Sequence, residues 1–171
     1  MEETRDVDFR RAMRALTSAV TIISTALEDR KYGMTATAVT SLSMSPPSLL
    51  VCINQSASIH DPLVRRARFC ANILHAHQDE LATVFSDKAV EDRFAFGEWA
   101  EGPDEIPYLM HAQANVLCDV DDIHRYGTHT MIVGKVQRVE VRERINPLLY
   151  QNGRYTVGLD EGVDWVVPLA G

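Results

Sequence analysis

Most of this chain alternates apolar and polar residues or carries short apolar runs, a pattern typical of β-strands. One opening segment differs, because its apolar residues recur at helical spacing with arginines on the other side: Phe9, Ala12, Met13 and Leu16. This spacing predicts an amphipathic helix over residues 7–16. Shorter helices are predicted over residues 58–68, with Ser58 as the N-terminal cap, and over residues 78–85.

Strands are predicted where β-branched and aliphatic residues concentrate, at residues 19–27, 33–43, 48–54, 69–74, 112–123 and 129–141. Residues 97–107 carry Gly, Pro and acidic residues and predict a surface loop. Few helices are long enough for parallel crossovers, so the sheet is expected to be antiparallel. Strands of about ten residues tend to curl and close. The pattern therefore predicts a mainly β, barrel-like single domain over residues 1–171, with peripheral helices.

Composition narrows the class of protein. The chain has 171 residues and a net charge of −7, which argues against binding a phosphate backbone. Its acidic start is unlike a signal peptide, and no apolar run approaches the roughly 20 residues that span a bilayer. We therefore expect a cytoplasmic protein without nucleic-acid or membrane partners. The widely spaced Cys52, Cys70 and Cys118 are expected to be reduced, buried thiols.

Two polar stretches are candidates for ligand chemistry. Around residues 33–44, alternation would put the hydroxyls of Thr35, Thr37, Ser41 and Ser43 on one strand face among small side chains. Such a face suits a flat polar ligand that reads peptide groups, although a solvated edge strand has the same composition. Residues 54–58 would place hydroxyls and free N–H groups at a helix start, which suits an anion, with Lys88 as a cation within reach. Ordinary capping by Ser58 explains that cluster equally well.

The histidines give one further candidate. His75 and His77 form an HxH pair without a third ligand at metal-binding spacing, so no metal site is predicted. His60, His111 and His124 have polar neighbours and are expected at the surface. His129 opens a long strand and is expected at a barrel rim, either as a structural or as a functional residue. The chain lacks the nucleotide-binding, nucleophile and zinc-protease motifs, so any enzymatic reaction is expected to rest on a bound cofactor.

Five segments in register resemble the short-chain flavin reductases, the reductase components of two-component flavin-dependent monooxygenases. They are GMTATAVTSLSMSPPSLLVCIN, FCANIL, FSDK with Arg93-Phe94, YGTHTMIVGKV and PLLYQNGRY. The likeness runs from about Phe9 to Tyr155, and the 4-hydroxyphenylacetate 3-monooxygenase reductase branch is the most similar. The resemblance implies a homodimer built on a six-stranded antiparallel, FMN-binding split barrel with Greek-key topology.

The resemblance also implies a set of site residues. Flavin-binding positions would be Gly33, Met34, Thr35, Ala36, Thr37, Ala38, Ser41, Asn54, Ser56, Ala57, Ser58, Lys88 and Tyr155. Of these, residues 33–38 would line the isoalloxazine ring, and Ser41 would reach the ribityl chain or the phosphate. Residues toward the phosphate would be Asn54, Ser56, Ala57 and Ser58, with Lys88 as a charged contact. Tyr155 would lie near the nicotinamide. His129 would be the catalytic residue beside the nicotinamide. Many relatives have Asp where this chain has Thr128, so a carboxylate role at that position does not carry over.

The function implied is that of an NAD(P)H:flavin oxidoreductase. Hydride would pass from NADH, with NADPH as the alternative donor, to FMN or FAD, and reduced flavin would leave for a separate monooxygenase component. Two other readings stay open on the residues alone. One is a flavin-binding carrier or sensor module without reductase activity, and the other is a β-barrel interaction protein without a cofactor.

Overall fold

A computed structural model describes residues 2–158 of the chain, so the final part of the predicted domain, residues 159–171, lies outside the described residues. Its helices are α1 (Glu2–Met13), α2 (His60–Arg66) and α3 (Asp79–Ser86). Its strands are β1 (Ser18–Ala19), β2 (Thr21–Leu27), β3 (Arg30–Ala36), β4 (Val39–Met44), β5 (Pro47–Asn54), β6 (Arg68–Ile73), β7 (Trp99–Glu101), β8 (Pro107–Leu109), β9 (Ala114–Tyr126), β10 (His129–Val141), β11 (Leu148–Gln151) and β12 (Arg154–Val157). No helix within residues 2–158 is long and apolar enough to cross a membrane.

Seven strands form the main sheet, in the order β3-β2-β6-β9-β10-β5-β4, and every pairing is antiparallel. A flat sheet of seven strands would separate its two edges by about 29 Å. The edge strands β3 and β4 are nevertheless joined by only two residues, Thr37 and Ala38, which span at most about 11 Å between the strand ends. The sheet must therefore curl until its edges approach each other. β3 and β4 do not pair with each other within the described residues, so the barrel is not closed.

The curled sheet encloses the main core, a cluster that includes Ile23, Val51, Phe69 and Ile132, all fully buried. A second apolar cluster lies under α3 and contains Phe85 and Leu109. The Phe85 ring packs against Phe94 and Trp99 at centroid distances of 5.2 and 5.3 Å. Helix α3 is fixed against β3 by the Thr35 hydroxyl, which donates to Ala82 O, and β3 is the strand that carries the first candidate ligand segment.

The antiparallel, mainly β prediction is confirmed, but the predicted count of six strands is wrong. The predicted strand at residues 19–27 is interrupted at Val20, whose N–H donates to Leu148 O and whose carbonyl accepts from Leu74 N, both at 2.9 Å. Val20 thus connects β1, in the small sheet β1-β11-β12, to β2 in the main sheet. The predicted loop at residues 97–107 contains β7 and the first residue of its partner β8, because buried Ile106 and Leu109 hold this segment to the core.

The strand predicted over residues 33–43 is also two strands. It breaks at Thr37 and Ala38, where the chain crosses from one sheet edge to the other. The hydroxyls expected on one face are therefore split between β3 and β4, and a bulge separates Ser41 from Ser43. The opening helix is confirmed with earlier bounds, because it ends at Met13 and leaves Leu16 outside.

Candidate functional site

The predicted catalytic histidine lies at one end of the main sheet. His129 is the first residue of β10, and the register pairs it with Asn54, the last residue of β5. Its exposed imidazole shares a hydrogen bond through Nδ1 with the Thr128 hydroxyl at 2.9 Å. The side-chain amide of Gln55 donates to the carbonyls of Gly127 and His129 at 3.3 and 3.1 Å. Gln55 thus links the start of β10, here called the rim, to the segment that follows β5.

That segment forms a tight turn. The Asn54 carboxamide oxygen accepts hydrogen bonds from the backbone N–H and the hydroxyl of Ser56, both at 2.9 Å. Ala57 packs against the main core, whereas Ser58 is exposed. The prediction that Ser58 caps α2 is wrong, because Ile59 holds the cap position and no side chain bonds to the helix start. The Ser58 hydroxyl does not serve as that cap.

Ser58 and Gly33 line one open groove of about 390 Å³. Its other charged lining residues are three cations and three carboxylates: Arg30, Lys31, Arg93, Asp29, Glu91 and Asp92. The Arg93 guanidinium donates to Gly33 O at 3.3 Å and to Asp87 O at 2.7 Å. The Ser58 hydroxyl and the Arg93 guanidinium are donor types that bind a phosphate, and the three carboxylates balance the three cations of this groove.

Thr37 and Ala38 line a second open groove of about 570 Å³, within the size range of small-molecule sites. The N–H groups of these two residues take no part in either strand ladder, while the Ala38 carbonyl accepts from Cys52 N at 3.0 Å. Tyr150 lines the same groove, and Tyr155 packs edge-to-face behind it with ring centroids 5.6 Å apart. A flat ligand here would meet unused peptide donors and an aromatic side chain.

The remaining predicted residues lie apart from the open surface of either groove. The Thr35 hydroxyl donates to Ala82 O of α3 at 2.7 Å, and the Met34 side chain packs against the main core. Ala36 is buried in that core. Ser41 pairs with Leu49, five residues and about 17 Å along β5 from Asn54. Lys88 is exposed on the segment after α3 and does not line the phosphate-type groove.

Sequence reasoning missed four residues at this end of the molecule: Gln55, His60, Arg93 and Tyr150. The expectation that His60 is a surface residue is wrong, because its side chain is only 4% exposed. Its ring nitrogens bond to Thr130 Oγ1 at 2.9 Å and to Asp61 Oδ1 at 2.7 Å. Flanking polarity suggested exposure, whereas the apolar neighbours Ile59 and Leu63 were the signal that this turn enters the core.

The thiols and the paired histidines take no part in this arrangement. Cys70 and Cys118 are buried free thiols, and burial raises the pKa of Cys118 from 9.0 to about 12. Cys52 is half-buried. His75 lies 5.2 Å from His77 between ring centroids, and burial, together with nearby Arg142, lowers its pKa. Across residues 2–158 no group of three or more potential ligands is arranged to hold a metal ion.

Comparison with known proteins decides the family. The flavin reductase like domain family matches residues 13–158 of the chain. The chain belongs to this flavin reductase family. It is 40% identical to the reductase component of an FADH2-dependent resorcinol hydroxylase from Rhizobium sp. strain MTP-10005, over 91% of this chain and 89% of that protein.

Two further relatives extend the comparison. The 4-hydroxyphenylacetate 3-monooxygenase reductase component of Pseudomonas aeruginosa is 33% identical, over 86% of this chain and 89% of that protein. The resorcinol hydroxylase reductase is more similar than this branch. A solved NADH:FAD oxidoreductase from Streptomyces globisporus C-1027, in complex with NAD and FAD fragments, superposes with a TM-score of 0.86 at 28% identity, covering 93% of this chain and 95% of that one.

The residues of this flavin reductase family member fit a flavin. The groove at Thr37 and Ala38 has the volume of a small-molecule site and presents unused backbone N–H groups beside Tyr150. The groove at Ser58 supplies a hydroxyl and cations for an anionic end. Peptide donors beside Tyr150 suit the flavin ring, and the Ser58 hydroxyl with the Arg93 guanidinium suits the phosphate. Arg10 and Arg14 also line the first groove, and three carboxylates balance the three cations of the second.

Proposed function

We propose that this protein is an NADH-dependent flavin reductase that reduces FMN or FAD and releases the reduced flavin to a separate monooxygenase component. The observation that carries the proposal is the 40% identity, across nine-tenths of both chains, with a reductase component of a flavin-dependent hydroxylase. The structural relative in complex with NAD and FAD fragments supports the same pair of cosubstrates. We extend the proposal to a single domain over residues 1–171 and to a cytoplasmic location.

The flavin ring is assigned to the turn between β3 and β4. Backbone N–H groups of Thr37 and Ala38 are free of the strand ladders and are suited to the polar edge of the ring. Gly33, Met34, Thr35 and Ala36 hold that turn by packing and by the Thr35 bond to α3. The curled sheet with unpaired edges supports a split-barrel description, in which the ring occupies the split.

The flavin phosphate is assigned to the turn after β5. Asn54 and Ser56 brace this turn through their mutual hydrogen bonds, and Ala57 anchors it in the core. Ser58 then faces the groove that Arg93 lines. Lys88 and Ser41 do not line this groove, so variants at these two positions are expected to weaken flavin binding less than an Arg93 variant.

The nicotinamide is assigned to the rim at His129. Hydride transfer from the nicotinamide to the flavin is the chemistry that the two small molecules supply when bound, and the protein has to bring their faces within about 3–3.5 Å. The Thr128 hydroxyl orients the His129 ring, and Gln55 fixes the backbone beneath it. His129 then acts by positioning the nicotinamide. Tyr150, with Tyr155 behind it, supplies an aromatic wall.

We also propose a homodimer. Strand β4 is a sheet edge with Leu42 and Met44 exposed by 52% and 85%, and Phe9 of α1 is 62% exposed. Exposed edges and apolar side chains of this kind are normally covered by a partner. Light scattering coupled to size exclusion is expected to give twice the mass of the chain, and a monomer at micromolar concentration would refute this assignment.

A steady-state assay of NADH oxidation, with both nicotinamides crossed against both flavins, tests the function. We expect rapid NADH oxidation that requires added flavin and saturates in both cosubstrates. His129→Ala is expected to raise KM for NADH while leaving the Kd for flavin unchanged. Flavin binding without NADH oxidation would instead support the carrier or sensor reading, and no flavin binding would refute both.

A further inference from the structure

His60 is a buried polar residue for which the proposed reaction has no direct use. It is the first residue of α2 and is 4% exposed. Its Nδ1 lies 2.7 Å from a carboxylate oxygen of Asp61, and its Nε2 lies 2.9 Å from Oγ1 of Thr130. Because a carboxylate only accepts, Nδ1 carries a proton, and in the neutral ring Nε2 accepts the hydrogen bond that Thr130 donates.

The two bonds of His60 differ in their surroundings. The Asp61 side chain is 85% exposed, so water competes for that contact. Thr130 is fully buried, and no water competes with its bond to Nε2. A buried hydrogen bond of this kind leaves an unsatisfied polar group if either partner is removed. The His60–Thr130 contact is therefore the one that constrains the structure.

Thr130 immediately follows His129 in β10. Side chains alternate along a strand, so Thr130 points into the core while His129 stands on the exposed side. His60 thus hydrogen-bonds to β10 on the side that faces the core. Gln55 hydrogen-bonds to the carbonyls of Gly127 and His129 on the exposed side. Both holding residues belong to the short stretch that also carries Ser56 and Ser58.

We propose that His60 is a positioning residue, whose buried hydrogen bond to Thr130 fixes His129 relative to the Asn54–Ser58 turn. The inference rests on the proposed function, in which that turn holds the flavin phosphate and His129 holds the nicotinamide. The two cosubstrates bind to separate elements, β5 with its turn and β10. The strands β5 and β10 pair directly from His129↔Asn54 to Lys135↔Ser48, and the His60–Thr130 bond adds a buried side-chain link between the end of the turn and the start of β10. This link sets the position of His129 beyond the last strand pair, so that both rings meet at the distance that hydride transfer requires.

Two variants of the same residue separate the two bonds. The amide of glutamine reaches the place of Nε2, whereas the shorter asparagine reaches only the place of Nδ1. His60→Gln is expected to keep the Thr130 bond and to remain close to wild type. His60→Asn is expected to raise KM for NADH about tenfold, the ratio that one lost buried hydrogen bond corresponds to, with Kd for flavin changed by less than about twofold.

Variants of Thr130 approach the same bond from the other side. Thr130→Val should reproduce the KM effect of His60→Asn, and Thr130→Ser, which keeps the hydroxyl, should restore wild-type kinetics. Asp61→Asn is the matched control for the exposed bond and should leave KM unchanged. Thermal unfolding of every variant identifies any that fail to fold. If His60→Asn does not fold, His60→Gln, Thr130→Ser and Thr130→Val still compare the kept bond with the lost one.

The double variant His60→Asn, His129→Ala completes the test. If His60 acts through His129, the double variant has the same KM for NADH as His129→Ala alone. Additive effects, or equal loss of flavin and NADH binding in His60→Asn, would reduce His60 to a general structural residue and overturn the inference. An unchanged KM in His129→Ala would overturn the proposed role of His129 and this inference together, whereas an effect in His129→Ala but none in His60→Asn would overturn the inference alone.

Discussion

Gly33 lines the groove at Ser58 and lies beside the aromatic cluster of Phe85, Phe94 and Trp99. A Cβ added at this position would stand 2.6 Å from Phe85 Cε1 and 3.1 Å from Phe94 Cζ. The first distance is about 0.8 Å short of the 3.4 Å at which ordinary contacts begin. Phe85 is 1% exposed, and its ring is confined between Phe94 and Trp99. The clash in Gly33→Ala is therefore relieved only by moving the cluster that forms the groove wall.

Overpacking of this kind costs about 1–3 kcal/mol. For a domain of this size, a loss of about 2 kcal/mol lowers Tm by about 4–8 °C. Gly33→Ala should also displace Phe94 and Arg93, which line the groove beside Gly33. Because Arg93 is bound to Gly33 O, we expect the Kd for FAD to rise about five- to tenfold.

Gly134→Ala is the matched control. Its added Cβ would stand 2.6 Å from Phe69 Cζ and 2.9 Å from Cys118 Cβ, in the main core rather than at the groove. Scanning calorimetry should give a loss of Tm at least as large as that in Gly33→Ala. Fluorescence titration should leave its Kd for FAD within about twofold of wild type. Equal weakening of FAD binding in both variants, or no loss of Tm in Gly33→Ala, would refute the reasoning.

Three further predictions follow from buried polar groups and the aromatic wall. Asn72 is fully buried, donates to Ile22 O at 2.8 Å and accepts from Leu109 N at 2.8 Å. Asn72→Leu should therefore lower the free energy of unfolding by about 3 kcal/mol in urea titrations, and a loss below about 1 kcal/mol would contradict this. Thiols of the unfolded chain ionise near their ordinary pKa of 9.0, while burial holds the folded Cys118 pKa at about 12, so the unfolded chain binds fewer protons above pH 9 and stability should fall there. Cys118→Ala should reduce that fall by about 1.4 kcal/mol per pH unit between pH 9 and 12, whereas an unchanged slope would contradict the assignment. Tyr150→Ala should raise the Kd for FAD as well as KM for NADH, because Tyr150 lines the groove assigned to the flavin ring, and an unchanged Kd for FAD would contradict that assignment.

The positions of the strands were largely predictable from the sequence, because β-branched alternation is a local property. The long strand β10 has the bounds that the alternation of residues 129–141 predicts. The breaks at Val20 and at Thr37–Ala38 were not predictable, since alternation continues through both. Only the hydrogen bonds of Val20 to Leu148 and Leu74, and the crossing between sheet edges, impose them.

The candidate site was predictable in its parts but not in its assembly. The Asn54–Ser58 turn and His129 were each recognised from local sequence, yet their proximity depends on β5 pairing with β10 about 75 residues away. Gln55 acts through its bond to the His129 carbonyl, and His60 acts through its bond to Thr130. Such long-range partners leave no periodic signal in the sequence, so these two residues emerge only from the fold.

Anaerobic rapid mixing of the FAD-loaded protein with NADH tests most directly whether the fold brings nicotinamide and flavin together. Loss of the oxidised flavin absorbance reports hydride transfer without any contribution from oxygen. We predict a rate that saturates with NADH, greatly exceeds that of free FAD with NADH, and needs higher NADH concentrations in His129→Ala. A rate equal to that of free FAD, or one unaffected by His129→Ala, would contradict the account.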